Sequence, residues 1–436
     1  MIIRIKKESH FGFACLLTLL ISMLFVRYSL GIEIPRIFLT LVIIAIAFIG
    51  TQDEILAISL SCIPLHEAID FYVALVACAG ILIVKSNRAI KFGVSILLGI
   101  SLVVLELLHM LAFEVPLMSL LISIIPIAFL ILILNLDVSK IDYAFIVRIL
   151  AFISACFSLI VFFNIIVQAN FDFAKAVLNL QRLGQLEEDT TLLGGRINPN
   201  ALGIINVLSV AALFQLRSMN KPRRIDYFFS IILIIFGVLT SSKTFLVCLL
   251  LMAFLLIFAQ KGGIYKKIRL VFLLIVSTLL ALLLLNLLFH SVLEYYISRF
   301  QVEDITTGRY QLIVQYNEYI ANHPSVWFWG IGMSDIGNKA INVYKIADNV
   351  PHNSIQEIIL SWGIIGLLII VLLFVIMVRE SKQYGHKKRL LNFIPLIIIL
   401  VKSMAGQFVT AKYTMLALVL AYLSLCQDFT YSEQLN

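Results

Sequence analysis

Apolar residues in this chain run in continuous stretches and do not alternate with polar ones. The stretches fall near 11–29, 35–50, 52–65, 68–84, 90–112, 117–136, 143–168, 199–216, 225–240, 243–259, 268–289, 355–378, 391–404 and 409–426. Most are of the order of the ~20 residues needed to carry a helix across about 30 Å of hydrocarbon. The pattern predicts an all-α polytopic membrane protein with about 12–14 transmembrane helices. The runs 52–65, 391–404 and 409–426 are short and leave re-entrant or merged segments open. A transmembrane β-barrel is excluded, because its strands alternate in polarity. Composition agrees: 61% of the 436 residues are hydrophobic and 13% charged, and mean hydropathy is +1.03. Soluble domains run nearer 45–50% and about 25%. Basic Arg4, Lys6 and Lys7 precede the first run, which lacks a small-residue cleavage site and reads as a retained anchor. No internal repeat is evident, so residues 1–436 read as a single integral membrane domain.

Basic residues cluster in four connections: Lys85, Arg88 and Lys91; Arg217, Lys221, Arg223 and Arg224; Lys261, Lys266, Lys267 and Arg269; and Arg379, Lys382, Lys387, Lys388 and Arg389. Alternating the spans puts all four on one side, which the positive-inside rule makes cytoplasmic. The N- and C-termini fall on the same side, provided that 52–65 crosses. Arg27 and Arg36 then flank an external turn, a local violation of the rule. The formal net charge of +8 therefore reports topology and not nucleic-acid binding. Two longer segments with more acidic than basic residues, 170–198 and 291–352, face the other side. The second is predicted to contain short helices: 305–320 is interrupted only by Gly308, and Pro324 ends it before Trp327-Phe328-Trp329. The six cysteines lie in apolar segments, form no CxxC pair, and imply neither disulfides nor a metal site.

Candidate chemistry gathers at the external edges of spans. In Gly194-Gly195-Arg196-Ile197-Asn198-Pro199-Asn200, Asn198 is placed to cap a helix with Pro199 in its first turn. The free amides and Arg196 offer an anion site; the plainer alternative is an interfacial anchor beside a capping device. Thr240-Ser241-Ser242-Lys243-Thr244 puts a lysine at the lip of the bundle, either to meet a phosphate or to snorkel. In the large loop, Arg299 and then Thr306-Thr307-Gly308-Arg309-Tyr310 supply guanidinium groups that grip phosphate oxygens bidentately or remain solvated. Tyr295, Tyr296, Tyr310, Tyr316, Tyr319, Trp327, Trp329 and Tyr344 suit sugar stacking and an interfacial belt equally well. Pro351-His352-Asn353-Ser354 sets an imidazole where this loop enters an apolar helix. His352 is either a general base, titrating near neutrality, or an interfacial cap. Asn353 and Ser354 read as N-caps, and Glu357, one turn on, orients the site or completes a capping box. Glu106, His109 and Glu114 form a further ionisable group near the external end of a span.

Taken together, Arg196, Lys243, Arg309 and His352 map to one face. Three cations and a base at an external membrane edge suit a lipid-linked diphosphate donor.

At these residues the chain resembles the O-antigen polymerase and O-antigen ligase superfamily of bacterial inner-membrane glycosyltransferases. The resemblance rests on GGRINPNALG, LTSSKTF, TTGRYQLIVQYNEYIANHPSVWFWGIG and PHNSIQEIILSWGIIGLL, in the family's order and spacing over roughly 190–370. Ten residues separate His352 from Gly363, as in the ligase pattern. The resemblance implies a GT-C-like helical bundle and an enzyme acting on undecaprenyl-diphosphate-linked oligosaccharide at the extracytoplasmic face of the inner membrane. It implies no nucleotide sugar, cofactor, essential metal or nucleic acid. Its partners would be membrane lipids, a chain-length regulator and a flippase. Arg196 and Arg309 would bind the diphosphate and His352 would activate the acceptor. Lys243 stands where the family has arginine, keeping the charge but losing the bidentate fork. Asn200, Tyr310, Asn353 and Glu357 would be supporting residues. Val247 stands where ligases have leucine, which favours a repeat-unit polymerase building O-antigen, capsule or exopolysaccharide over a ligase. A transporter or flippase fits less well, because the charges lie at the edge and not mid-span.

Overall fold

The computed structural model describes the chain apart from residues 1, 87–92, 114–116, 139–140, 179, 185–196, 220, 260–262, 302–308, 333–350, 382–389, 405–411 and 428–436. Side chains at 2–9, 117–120, 122–123, 178, 218, 299–300 and 390 are also outside the description. The described residues are mostly α-helical, with no β-strand among them.

Each predicted span contains a helix. They are α1 (Ile2–Ser29), α2 (Arg36–Ile49), α3 (Gln52–Ser61), α4 (Phe71–Lys85), α5 (Val94–Phe113), α6 (Leu117–Asn135) and α7 (Tyr143–Gln168), followed after a short α8 (Phe173–Leu178) by α9 (Pro199–Ser218), α10 (Arg224–Leu239), α11 (Lys243–Ala259) and α12 (Ile264–Leu288). The large loop holds α13 (His290–Gln301), α14 (Arg309–Asn322) and α15 (Pro324–Trp329); α16 (Ser354–Glu380), α17 (Ile394–Ser403) and α18 (Lys412–Leu425) close the chain. Among the described residues, six helices are long and apolar enough to cross a membrane, so this is a multi-pass membrane protein. The loop helices were expected; α8 was not, since it is a six-residue turn whose start is held by Asp172 accepting from the Lys175 amide (3.0 Å).

Hydrogen bonds sort the helix ends into two sets. Lys85, at the end of α4, donates to the carbonyls of Phe48 and Gly50, and His10 lies 2.7 Å from Glu54. Arg148 pairs with Asp226 through both carboxylate oxygens (2.8 and 3.0 Å), which gathers the starts of α7 and α10 at this same end. At the opposite end Arg27 donates to the carbonyls of Ile34 and Ala68 (3.0 and 3.2 Å), and Glu67 accepts from the Asn198 amide (3.0 Å). Thus α3 and its continuation link the two ends. The helix itself is only ten residues, about 15 Å long, and tight turns over 62–70 complete the passage. Polar contacts bind the buried seam between α7 and α9: Ser154 to Ser209 and Ser158 to Asn206 (both 3.2 Å). Such contacts orient helices that the hydrophobic effect does not drive together in lipid.

Candidate functional site

The head of α16 is built by three polar side chains in succession. Asn353 caps it, its Oδ1 accepting from the amides of Ile355 (3.0 Å) and Gln356 (3.2 Å), as its residue type leads one to expect. Ser354 does not cap. Its hydroxyl donates to the Ser403 carbonyl (2.9 Å) and ties α16 to the last turn of α17. Gln356 donates to the Ile313 carbonyl (2.7 Å) and to Asn317 Oδ1 (2.8 Å), clamping α14 alongside. Arg309 is the first residue of α14, so this clamp carries its helix to the head of α16, within electrostatic reach of His352, 43 positions on in the chain.

His352 is half-buried. Burial pushes its pKa below the usual 6.5, and the positive charges of Arg309 and Lys402 push it further down. The imidazole therefore rests neutral at physiological pH, the form that accepts a proton. Lys402, in the last turn of α17, lies within electrostatic reach of Glu357 and Arg309, with its ammonium 4.6 Å from the centre of the Tyr413 ring. Glu357 is fully buried.

A second group lies where α9, α10 and α11 meet. Asn198 caps α9 through the amides of Asn200 (2.9 Å) and Ala201 (3.3 Å), with Pro199 opening the helix. Arg182 donates to Asn200 Oδ1 (2.9 Å) and to the Thr240 carbonyl (3.2 Å), and lies 6.0 Å from the Tyr295 ring centre. The turn Thr240–Ser242 is buried beneath α9, and Ser241 donates to the Gln181 carbonyl (2.8 Å). Lys243 begins α11 from this turn and is half-buried. Helix α11 joins the two groups. Cys248 meets the Ile398 carbonyl (3.9 Å) on α17, and the alternation of spans runs the two helices in opposite directions. Lys243 is about 7.5 Å above that contact and Lys402 about 6 Å above it, at 1.5 Å per residue, so the two lysines share a level. Arg196 lies outside the described residues.

Below His352, α16 is broken. Gly363 has φ 64° and ψ −162° inside the helix, and Gly330 mirrors it at φ 77° and ψ −168°. Both values belong to a region essentially reserved for glycine. A Cβ on Gly363 would lie 2.1 Å from the Phe328 carbonyl oxygen, and one on Gly330 would lie 2.4 Å from the Ser361 backbone. The break exposes carbonyls, and the loop satisfies them: the Ile331 amide donates to Leu360 (2.6 Å) and the Gly332 amide to Ser361 (2.9 Å). Irregular backbone at membrane depth persists only when buried in protein in this way. Beside the break, the Trp362 indole donates to Glu106, which is buried with His109 in α5; Glu114 lies outside the described residues.

The family comparison matches part of this region. Residues 228–371 match the family model described as O-Antigen ligase. That bears out the resemblance to the O-antigen polymerase and ligase superfamily and supports a function of that general type. No curated protein matches the chain. The matched O-antigen ligase segment contains Lys243, Arg309, His352 and Glu357; Arg196, Asn200 and Lys402 fall outside it.

The structure thus places Arg309, His352 and Glu357 within electrostatic reach of one another's surroundings at the head of α16, and adds Lys402, Gln356 and Arg182, which sequence reasoning passed over. Tyr310 is exposed on α14 beside Arg309. Two of the loop aromatics are packing residues: Tyr316 is buried with Ile320 and Leu360, and Tyr296 is buried with its hydroxyl on the Val238 carbonyl. Trp327 and Trp329 remain exposed.

Proposed function

We propose that the protein is a glycosyltransferase that polymerises undecaprenyl-diphosphate-linked oligosaccharide repeat units into O-antigen, capsular polysaccharide or exopolysaccharide at the extracytoplasmic face of the bacterial inner membrane. The observation that carries this reading is that Arg309 lies within electrostatic reach of a half-buried His352, whose pKa burial lowers, at the head of α16. In the proposed reaction the acceptor hydroxyl attacks the anomeric carbon of the donor sugar. The new C–O bond forms as the bond to the diphosphate oxygen breaks, the acceptor proton passes to His352, and the diphosphate leaves with its electron pair. Arg309, with Lys243 and Arg196, stabilises the charge developing on that leaving group. Asn353 and Glu357 support the head of α16, and Asn200 the start of α9. Partners of this reading are a chain-length regulator and a flippase. The chain acts as a single integral membrane domain in a GT-C-like bundle.

A ligase using the same donor, with lipid A core or another acceptor, is the second reading. The matched family's description as an O-antigen ligase favours it; Val247 favours the polymerase.

Purified protein supplied with synthetic lipid-linked repeat units decides. Wild type is expected to lengthen the glycan and release lipid diphosphate. His352→Ala should lower kcat by about 10²–10⁴-fold, and Arg309→Ala by about 10²-fold or more. Transfer only to a lipid A core acceptor would select the ligase. Full activity in His352→Ala would remove the base from the mechanism.

A further inference from the structure

Lys243 stands at the end of a turn that is gripped from outside. Thr240, Ser241 and Ser242 are fully buried, and Ser241 holds a left-handed φ of 49° that a residue with a Cβ seldom adopts. The grip comes from residues 181–183, ahead of α9 and outside the segment that matches the family. The Gln181 carbonyl accepts from the Ser241 hydroxyl (2.8 Å), Arg182 Nε donates to the Thr240 carbonyl (3.2 Å), and the Leu183 amide donates to the Leu239 carbonyl (2.7 Å). Three consecutive residues thus hold three consecutive residues, in antiparallel order. The strap is itself backed by α13, where Ser291 donates to the carbonyls of Val177 and Leu180 (3.1 and 2.8 Å).

Arg182 does more than complete the strap. Its Nη2 donates to Asn200 Oδ1 (2.9 Å) in the first turn of α9, so one guanidinium spans two elements. Its rigid planar fork sets the position of one acceptor against the other, which a single ammonium on a flexible stem does not. The approach of the two elements is close: a Cβ on Gly203 of α9 would lie 2.9 Å from the Thr240 hydroxyl. Lys243 follows Thr240 by three residues and opens α11. The same lock therefore fixes where its side chain starts relative to the head of α9.

We propose that Arg182 is a positioning residue for donor binding, which locks the turn before Lys243 to the head of α9 and so places the cation that meets the diphosphate. The proposal rests on the reading of the preceding subsection and extends it to a segment that the family match does not include. Two rival accounts are general support of the fold and a contact of Arg182's own with the donor.

The test is a cycle of four purified full-length proteins in detergent: wild type, Arg182→Gln, Lys243→Ala and the double variant. The readout is lipid diphosphate released from synthetic lipid-linked repeat units. Each single variant should lower kcat/KM at least about tenfold. The double variant should fall within about threefold of Lys243→Ala, since a lost lock costs little once the cation it positions is gone. Losses that multiply in the double variant would overturn the proposal, because both rival accounts act independently of Lys243. Arg182→Lys keeps the charge without the fork and should stay within about threefold of Arg182→Gln; wild-type activity there would also overturn it. If Arg182→Gln does not purify as a folded protein, Ser241→Ala takes its place in the cycle with the same two outcomes, since it removes another strap contact to the same turn. Full activity in Lys243→Ala would overturn the proposal and leave the transferase reading standing. A wild type that releases no lipid diphosphate would remove that reading, and the proposal with it.

Discussion

His352 carries the most specific residue-level consequence. Its pKa is held below 6.5 by burial and by two cations. A base must be deprotonated to work, so lowering its pKa extends activity to lower pH. The acid limb of kcat/KM, which reports the free enzyme, is therefore expected below pH 6.5. In Arg309→Gln one repelling charge is gone, the imidazole holds its proton more readily, and the limb of the residual activity should move up toward 6.5. An acid limb that stays fixed in that variant would detach it from His352. The same residue shows what a sequence can disclose. His352 and Arg309 stood out because each sits where a polar loop meets a helix, a position with a short list of functions. Lys402 did not, because a lysine closing an apolar run is ordinarily an anchor. Only the packing of α17 against α16 gives it a buried carboxylate for a neighbour. Gln356 and Arg182 were silent for the same reason: their partners, Ile313 and Asn200, are set by tertiary contact.

Among the elements, the helices were legible and their interruptions were not. Continuous apolar runs can satisfy their backbone in lipid only as helix, so every span located a helix. A glycine inside such a run is unremarkable, however, and Ile355–Val378 reads as unbroken. The break at Gly363 exists because Gly330–Gly332 from the large loop packs against it, a pairing 33 residues apart that no local pattern encodes. The loop is thereby anchored to the helix that bears His352. Gly363→Ala should cost about 1–3 kcal/mol in backbone strain, with the 2.1 Å overlap on Phe328 added. It is expected to lower the melting temperature of the purified protein in detergent and to reduce transfer, although the substitution touches no substrate. Gly80→Ala, inside α4 where a Cβ would meet nothing within 4 Å, is the control and should lower neither, since alanine is the better helix former. Equal melting temperatures for the two variants would mean that the loop does not hold the break.

Over the whole molecule, charge and chemistry separate to opposite ends. Lys85, Arg148 and Asp226 mark one end. Arg309, His352, Lys402 and Glu67 mark the other, where Tyr413 feels both Glu357 and Glu67 and so ties the head of α16 to the turn before α4. The apparent violation at Arg27 has a local cause in this arrangement, since its guanidinium is spent on the carbonyls of Ile34 and Ala68 and counts little as a free topogenic charge. If the basic end is cytoplasmic, as the positive-inside rule requires, the site opens to the outside, where lipid-linked glycans await transfer. Cysteines placed at exposed Tyr310 and exposed Lys221 test this with a membrane-impermeant maleimide. Tyr310→Cys should react in intact spheroplasts, and Lys221→Cys only after the membrane is opened, each above the wild-type background. The reverse pattern would put His352 in the cytoplasm, where nucleotide sugars are at hand, and a lipid-diphosphate donor would lose its topological argument even with the site geometry unchanged.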